Sequence, residues 1–422
     1  MFRAIFIRES MVRTGTISRS IFNRRVGRSL CRSAVSVAAL AMFRGAILAP
    51  EVRAEGPQCE VSERALREAG RTRGIQPLSK VPCVVHSRDE VATFLKFLIA
   101  RKLPKGALEK EGIVYRALGV VPDDYDYVKG ILRAYTSEIG GYYDPDKKLF
   151  VMVDFVSPDL QLPVAIHELT HALQDQRFNL RKFLDPNNVS SDLLLAHSAL
   201  AEGDATAVME DYLAKRSGGY QPGDAPTGSP FSGAEPIPAA LKEILLFPYK
   251  HGLAFVRKIM KGGGYRAVDR AFERPPKSSR EILHPDEYAR GVTALAPILP
   301  TSLERMGSDW KLTDSNSVGE FVTQAMLRSS NASQSPESCA RGLTRDLVGI
   351  FVDQKKRTFV SWLSEWDTVR DGVEFVECYR ASLRARYKKE VSSSLVQVSQ
   401  TKQVKVSQAN ERVSVVVALS GE

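Results

Sequence analysis

Apolar residues recur at helical spacing through most of the chain and at alternate positions in only a few stretches. Residues 60 to 120 read as helical, with Val91, Phe94, Leu95 and Leu98 on one stripe of Glu90 to Leu103, and Pro104 and Pro122 as punctuation. Between Ile139 and Val156 the pattern turns to β: Ile139-Gly-Gly-Tyr-Tyr, a turn at Asp144-Pro145-Asp146-Lys147, then Leu149-Phe-Val-Met-Val. Strands on both sides of a Pro-containing turn predict a hairpin. A helix is expected from near Pro163, a residue suited to a first turn, to about Phe178. A second is expected from Ser191 or Asp192, both good N-caps, to Lys215, with Gly218 and Gly219 beyond its end.

Residues 217 to 238 are rich in Gly, Pro, Ser and Thr without periodicity, the composition of a surface loop or lid-like crossover. Helical patterning returns from Pro238 to Arg274. Toward the C-terminus, Leu347 to Val352 and Thr358 to Leu363 read as strands, Asp371 to Arg386 as a helix, and Val396 to Val406 and Val413 to Leu419 as alternating runs. No internal repeat is visible. The predicted class is α+β, with a helical N-terminal segment over 55–130, a mostly helical core over 131–340 whose central helix follows a short β-hairpin, and a small α+β domain over 341–422.

Charge alters the picture at the N-terminus. The chain of 422 residues carries a formal +10, but residues 1 to 54 hold ten Arg, no Lys and two Glu, so +8 of it lies there. The remaining 49 basic and 47 acidic residues nearly cancel, which argues against a phosphate-binding groove and against nucleic acid as a partner. An Arg-rich stretch to Arg32, the apolar run Ala34 to Leu48 broken by Arg44, and Val52-Arg53-Ala54 have the layout of an export signal over 1–54. The apolar run is short for a membrane span, so no stable span is expected once the signal is removed. Arg24-Arg25 followed by Val26-Gly27-Arg28 hints at a twin-arginine signal; a start at Met11 and a mitochondrial presequence are the alternatives. Export to the periplasm, the cell surface or the medium suits the cysteines. Beyond Cys31 they form two local pairs, Cys59 with Cys83 and Cys339 with Cys378, without metal-ribbon spacing, and two disulfides are the simplest reading. Four buried free thiols are the other.

The sharpest chemical feature is His167-Glu168-Leu169-Thr170-His171 inside the helix expected after the hairpin. Spacing of i, i+4 sets both imidazoles on one face, where one Zn²⁺ can bind both, and Glu168 stands beside them as a proton acceptor for water activated at the metal. Ala165, Leu169, Ala172 and Leu173 supply an apolar stripe turned away from the histidines. Catalytic zinc takes three protein ligands, and the best third is Glu202 in Leu200-Ala-Glu-Gly-Asp-Ala, 31 residues after His171 and on the next helix. Asp204, two positions on, points elsewhere on a regular helix and suits a supporting role. His197 competes with Glu202, but about 140° separates them round the helix, so both cannot easily serve.

The chain resembles the gluzincins, zinc metallopeptidases with His-Glu-x-x-His and a downstream helical Glu. More closely, Glu138-Ile-Gly-Gly-Tyr-Tyr-Asp-Pro, His-Glu-Leu-Thr-His-Ala-Leu-Gln-Asp-Gln and Ala-Glu-Gly-Asp-Ala are similar to a group of exported bacterial and archaeal metallopeptidases, with weaker likeness at Pro275 to Pro285 and at Trp362 to Glu377. The resemblance implies a zincin-like core, His167, His171 and Glu202 as ligands of Zn²⁺, Glu168 as general base, and a peptide or protein substrate. Thr206 stands where thermolysin-like relatives carry an Asp four residues after the acidic ligand, so support for the histidines must come from another residue. In zincins a substrate lies along the edge strand before the active-site helix. Glu138 to Asp144 fits that place, with Gly140, Gly141, Tyr142 and Tyr143 as candidates, and a plain structural hairpin is the other reading.

A donor to the developing oxyanion is also needed, for which His284, Tyr142 and Tyr143 are candidates. His86 and His251 read as structural, Gly262-Gly-Gly-Tyr as a turn, and no Gly-x-Ser-x-Gly elbow is present. Two other functions fit the motif: a metal hydrolase acting on a non-peptide amide, and a non-catalytic, metal-stabilised envelope protein that binds partners through its C-terminal unit. Oligomeric state is not encoded legibly.

Overall fold

The computed structural model describes residues 56–187, 189–217, 237–291, 296–332 and 335–420; the export signal expected over 1–54 and most of the loop expected over 217–238 lie outside them. The fold is α+β. Helix α1 (Ser62–Arg73) is followed by strand β1 (Cys83–His86), which the helical reading of residues 60 to 120 did not anticipate. Four residues are too few for periodicity to register, and what makes them a strand is a parallel pairing with a partner far along the chain. Helix α2 (Arg88–Lys102) opens on a capping box: the Ser87 side chain accepts the Glu90 N–H, and Glu90 accepts that of Ser87. Helices α3 (Ala107–Leu118) and α4 (Tyr127–Glu138) follow.

The hairpin forms as expected, from β2 (Gly141–Asp144) and β3 (Leu149–Val153), antiparallel and with Tyr142 opposite Val151. Strand order β1-β3-β2 leaves β2 at an edge. One face, through Tyr143, Phe150 and Met152, packs on α1 and on helix α5 (Pro158–Phe178); the other packs toward α2. Helix α5 begins five residues before the expected start, because Pro158 rather than Pro163 takes the first-turn position. After α6 (Leu180–Phe183) comes α7 (Ser191–Ser217), then α8 (Ala239–Met260), α9 (Tyr265–Glu273), α10 (Ser279–Leu283) and α11 (Pro285–Arg290).

The C-terminal region is built on an antiparallel six-stranded sheet of order β4-β5-β6-β9-β8-β7: β4 (Lys311–Asn316), β5 (Leu343–Val352), β6 (Thr358–Trp366), β7 (Val396–Ser399), β8 (Lys402–Ala409) and β9 (Arg412–Leu419). Helices α12 (Gly319–Arg328) and α13 (Pro336–Ala340) interrupt the first pair of strands, and α14 (Val369–Tyr387) packs across the sheet through Phe375 and Tyr379. β5, β6 and β9 lie on the stretches read at 347–352, 358–363 and 413–419, whereas the single run from Val396 to Val406 folds into two paired strands, β7 and β8. Edge strand β4, Lys-Leu-Thr-Asp-Ser-Asn, escaped notice because it carries a single large apolar residue and buries none fully. Both expected disulfides are formed: Cys59–Cys83 ties the approach to α1 onto β1, and Cys339–Cys378 ties α13 to α14, with Cα–Cα separations of 5.7 and 6.2 Å. No described helix is long and apolar enough to cross a membrane.

Candidate metal centre

Helix α5 presents His167 and His171 one turn apart, each 9% exposed, with ring centroids 5.0 Å apart and planes at 83°. Helix α7 faces them with Glu202, one of whose carboxylate oxygens lies 3.1 Å from His167 Nε2 and 3.5 Å from His171 Nε2. Two atoms bound at 2.0–2.1 Å to a tetrahedral ion stand about 3.3 Å apart. Nitrogen, nitrogen and carboxylate oxygen at this spacing are a donor set a divalent ion can use, and the buried group could hold a metal ion.

A pair of glycines sets the depth at which α8 meets α7. A Cβ on Gly203, next to Glu202, would come within 2.3 Å of the Gly252 carbonyl group, and one on Gly252 within 2.1 Å of the Ala199 carbonyl oxygen. The two helices run side by side in the same direction, with Arg257 donating to Glu210 further along. This close approach brings the Tyr249 ring to 6.0 Å from that of His167.

Electrostatics follow from burial. Burial opposes charge on His171, but the Glu202 and Glu168 carboxylates outweigh it and hold the imidazole up at about 9. Burial also raises the Glu168 carboxyl above the usual range, countered by His167 and His171 and by a hydrogen bond donated from the Tyr143 backbone N–H. Glu168 itself stays half-buried, at the point where edge strand β2 passes α5.

Behind the ligands lies a buried polar chain. His171 Nδ1 is 2.9 Å from the Gln174 side-chain oxygen, and the Gln174 amide donates to the Ala201 carbonyl at 2.9 Å and to Asp204 at 3.0 Å. Asp204, fully buried, accepts from Arg73 Nε at 2.7 Å, and the same guanidinium donates to Asp269 at 2.7 Å. The last residue of α1 thus supports the residue that orients a metal-site imidazole. Gln174 was legible in principle, three residues after His171 and therefore on its face of the helix. Arg73, 131 residues from Asp204, was not.

The other residues singled out in the sequence lie elsewhere or are engaged. His284 Nε2 is 2.7 Å from a Glu320 oxygen. The Tyr142 hydroxyl bonds His86 Nδ1 at 2.9 Å, and that of Tyr143 donates to Asp175 at 2.8 Å. A Cβ on Gly140 would come within 3.2 Å of Val164 of α5, and one on Gly141 within 2.9 Å of the Val151 carbonyl oxygen of β3 and 3.1 Å of Val164. His197 bonds the Phe183 carbonyl at 2.9 Å and stacks on its ring, away from the ligand group. His251 stacks on Phe247, and burial pushes its pKa down to about 4.

Residues 306–422 match a protein family described as a domain of unknown function (DUF8575). That span contains the six-stranded sheet and leaves the histidines and Glu202 outside it. No curated protein and no solved structure is significantly similar to the chain.

Proposed function

We propose that this chain is an exported zinc-dependent peptidase of the gluzincin type, with a zincin-like core spanning the β2–β3 hairpin, α5 and α7. The observation that carries the reading is the meeting of His167, His171 and Glu202 from two packed helices, with Glu168 beside them at a sheet edge. Three candidate ligands among the described residues, rather than four, favour hydrolysis over a purely structural metal, since a closed structural site uses four. The two disulfides support export, because such bonds persist in oxidising compartments.

His167, His171 and Glu202 would hold the ion, which when bound would supply a Lewis acid that polarises a carbonyl and acidifies water. Glu168 would take a proton from the attacking water and pass it to the departing amine. Its place beside both imidazoles, in a setting where burial raises its carboxyl, suits it to proton transfer. β2 offers an extended substrate a strand edge to align on. Tyr249, whose ring neighbours His167, is the donor to the oxyanion, a role for which sequence spacing gave no signal.

Metal analysis of the purified protein, followed by incubation with a proteome-derived peptide library, tests this. The wild type is expected to carry about one zinc per chain and to cleave peptides. Glu168→Gln should keep the metal and lose roughly 10²- to 10⁴-fold in rate. Undiminished cleavage by Glu168→Gln, or an absence of bound metal in both proteins, would end the proposal.

A further inference from the structure

A second feature of the molecule lies outside the metal centre. A cavity of about 850 Å³ opens between α3, α4, the first turn of α7 and α8, with β4 and β5 beyond. Tyr115 stands in its wall, 8% exposed, edge-on to Tyr127 with centroids 5.4 Å apart. The Glu111, Tyr135 and Asp192 groups all act electrostatically on its hydroxyl, which has no hydrogen-bond partner among the described residues. A hydroxyl on a largely buried tyrosine that lines a cavity and bonds no described residue is a polar group a guest can meet.

The charges identify the guest's sign. Asp192, 8% exposed, accepts from the Ser279 backbone N–H at 3.1 Å; Asp346 accepts from Val318, Gly319 and Trp362; Glu111 accepts from Tyr127 at 2.7 Å. None of these three carboxyls is in an ion pair among the described residues. Of the cations that line the cavity, Lys110 pairs with Asp314 at 3.3 Å, Arg280 with Glu287 and Asp367 at 2.7 and 2.6 Å and Arg345 with Glu365 at 2.6 Å, while Lys277 is in no ion pair among the described residues. Burial accordingly pushes Asp192 up to about 7 and Asp346 to about 6, the response of acids without a counter-charge. A metal ion does not suit the site, because the His, Cys, Asp and Glu ligand atoms that converge among the described residues are those of His167, His171 and Glu202 alone. Tyrosine rings, carboxyls and the apolar wall of Leu194, Leu241 and Leu245 suit an organic cation with an aliphatic stem.

We propose that this cavity binds the ammonium or guanidinium head of a peptide's lysine or arginine side chain, with the head among Asp192, Glu111 and the Tyr115 hydroxyl and the stem along the α8 leucines. Leu245 precedes Tyr249 by four residues, about 6 Å of rise along α8, and Tyr249 is the residue whose ring neighbours His167. As a specificity pocket for cleavage this rests on the peptidase reading; as a binding site it does not.

Calorimetric titration of full-length Glu168→Gln protein with Ac-Ala-Ala-Lys-Ala-Ala-NH₂, its Arg and norleucine counterparts and n-butylamine tests it. The Lys and Arg peptides should bind at least about tenfold more tightly than the norleucine peptide, the contribution of charge-assisted hydrogen bonding. Adding Asp192→Asn should abolish that preference, and adding Tyr115→Phe, which breaks no bond in the fold, should reduce it about fivefold. Equal affinity for the Lys, Arg and norleucine peptides would overturn the proposal, as would an intact preference in a folded Tyr115→Phe, Asp192→Asn protein. Tight binding of butylamine with no binding of the peptides would overturn the peptide as occupant. Lys-peptide binding without cleavage by zinc-loaded wild type counts against the peptidase reading alone, whereas equal cleavage of Lys and norleucine peptides counts against the pocket alone.

Discussion

Helix α7 carries buried acids along its length, and the protein treats those in its middle and in its first turn in opposite ways. Midway along it Asp204 is fully buried and held by Arg73, while Glu202 meets two imidazoles. In its first turn Asp192 is nearly as buried, accepts from Ser279 and meets no cation among the described residues. A buried carboxylate is costly unless paired. Where the chain supplies the partner the arrangement is rigid and pre-set; where it does not, the acid is raised in pKa and open to a partner from outside. This contrast separates the part of the molecule that holds a site in place from the part that recognises.

The largest effect expected from that contrast is at Arg73. Replacing it by Met keeps the apolar stem and leaves Asp204 without its cation, which should cost about 3–5 kcal/mol in urea unfolding at pH 7. Arg73→Lys should recover only part, because a single ammonium cannot reproduce the two-oxygen contact with Asp204 and the bond to Asp269 together. A loss below about 1 kcal/mol for Arg73→Met would mean that Asp204 is no more dependent on its partner than Asp192.

At Asp192 the expected sign is reversed. Its folded pKa of about 7 lies above the ordinary 3.8, so the folded state holds the proton more strongly. The stability this contributes is present in full below about pH 4 and is lost as pH rises through 7. Asp192→Asn should therefore match the wild type in urea unfolding at pH 4 and exceed it at pH 8, by at most about 4 kcal/mol. A variant less stable than wild type at pH 8 would remove the distinction between the two acids.

How much of this could be read from the sequence follows the range of the interactions. His167, Glu168 and His171 are fixed by one helical turn, and Glu202 by the next long helix, so their convergence was legible from spacing. The β2–β3 hairpin was legible for the same reason, as a local turn between alternating strands. β1 was not, since its pairing partner lies 67 residues away at Cys83↔Phe150, nor was β4, whose composition is polar. The pair Arg73–Asp204 and the approach of Tyr249 to His167 depend on how helices dock, which periodicity does not encode. Gln174 lies between these cases: its position on the helix was readable, its role was not. Gln174→Leu, which cuts His171 off from Asp204 while filling the same space, should weaken zinc binding roughly 10- to 100-fold in a competition titration against a chelator. Unchanged affinity would show that the chain from Arg73 stabilises the fold without steadying the ligand.

The smallest expected effect is the most discriminating. Tyr115 and Tyr127 are neighbouring, similarly buried tyrosines in the wall of one cavity, and their hydroxyls differ in one respect: Tyr127 donates to Glu111 at 2.7 Å, and Tyr115 bonds no described residue. Tyr127→Phe should cost about 1–3 kcal/mol in unfolding, because it orphans a carboxyl that burial already holds above its usual range. Tyr115→Phe should fall within about 0.5 kcal/mol of wild type, because the hydroxyl it removes is satisfied no better by the folded protein than by water. Parity between the two variants would mean that Tyr115 has a structural duty after all, and would leave the first turn of α7 no different in kind from its middle, where Glu202 faces His167 and His171.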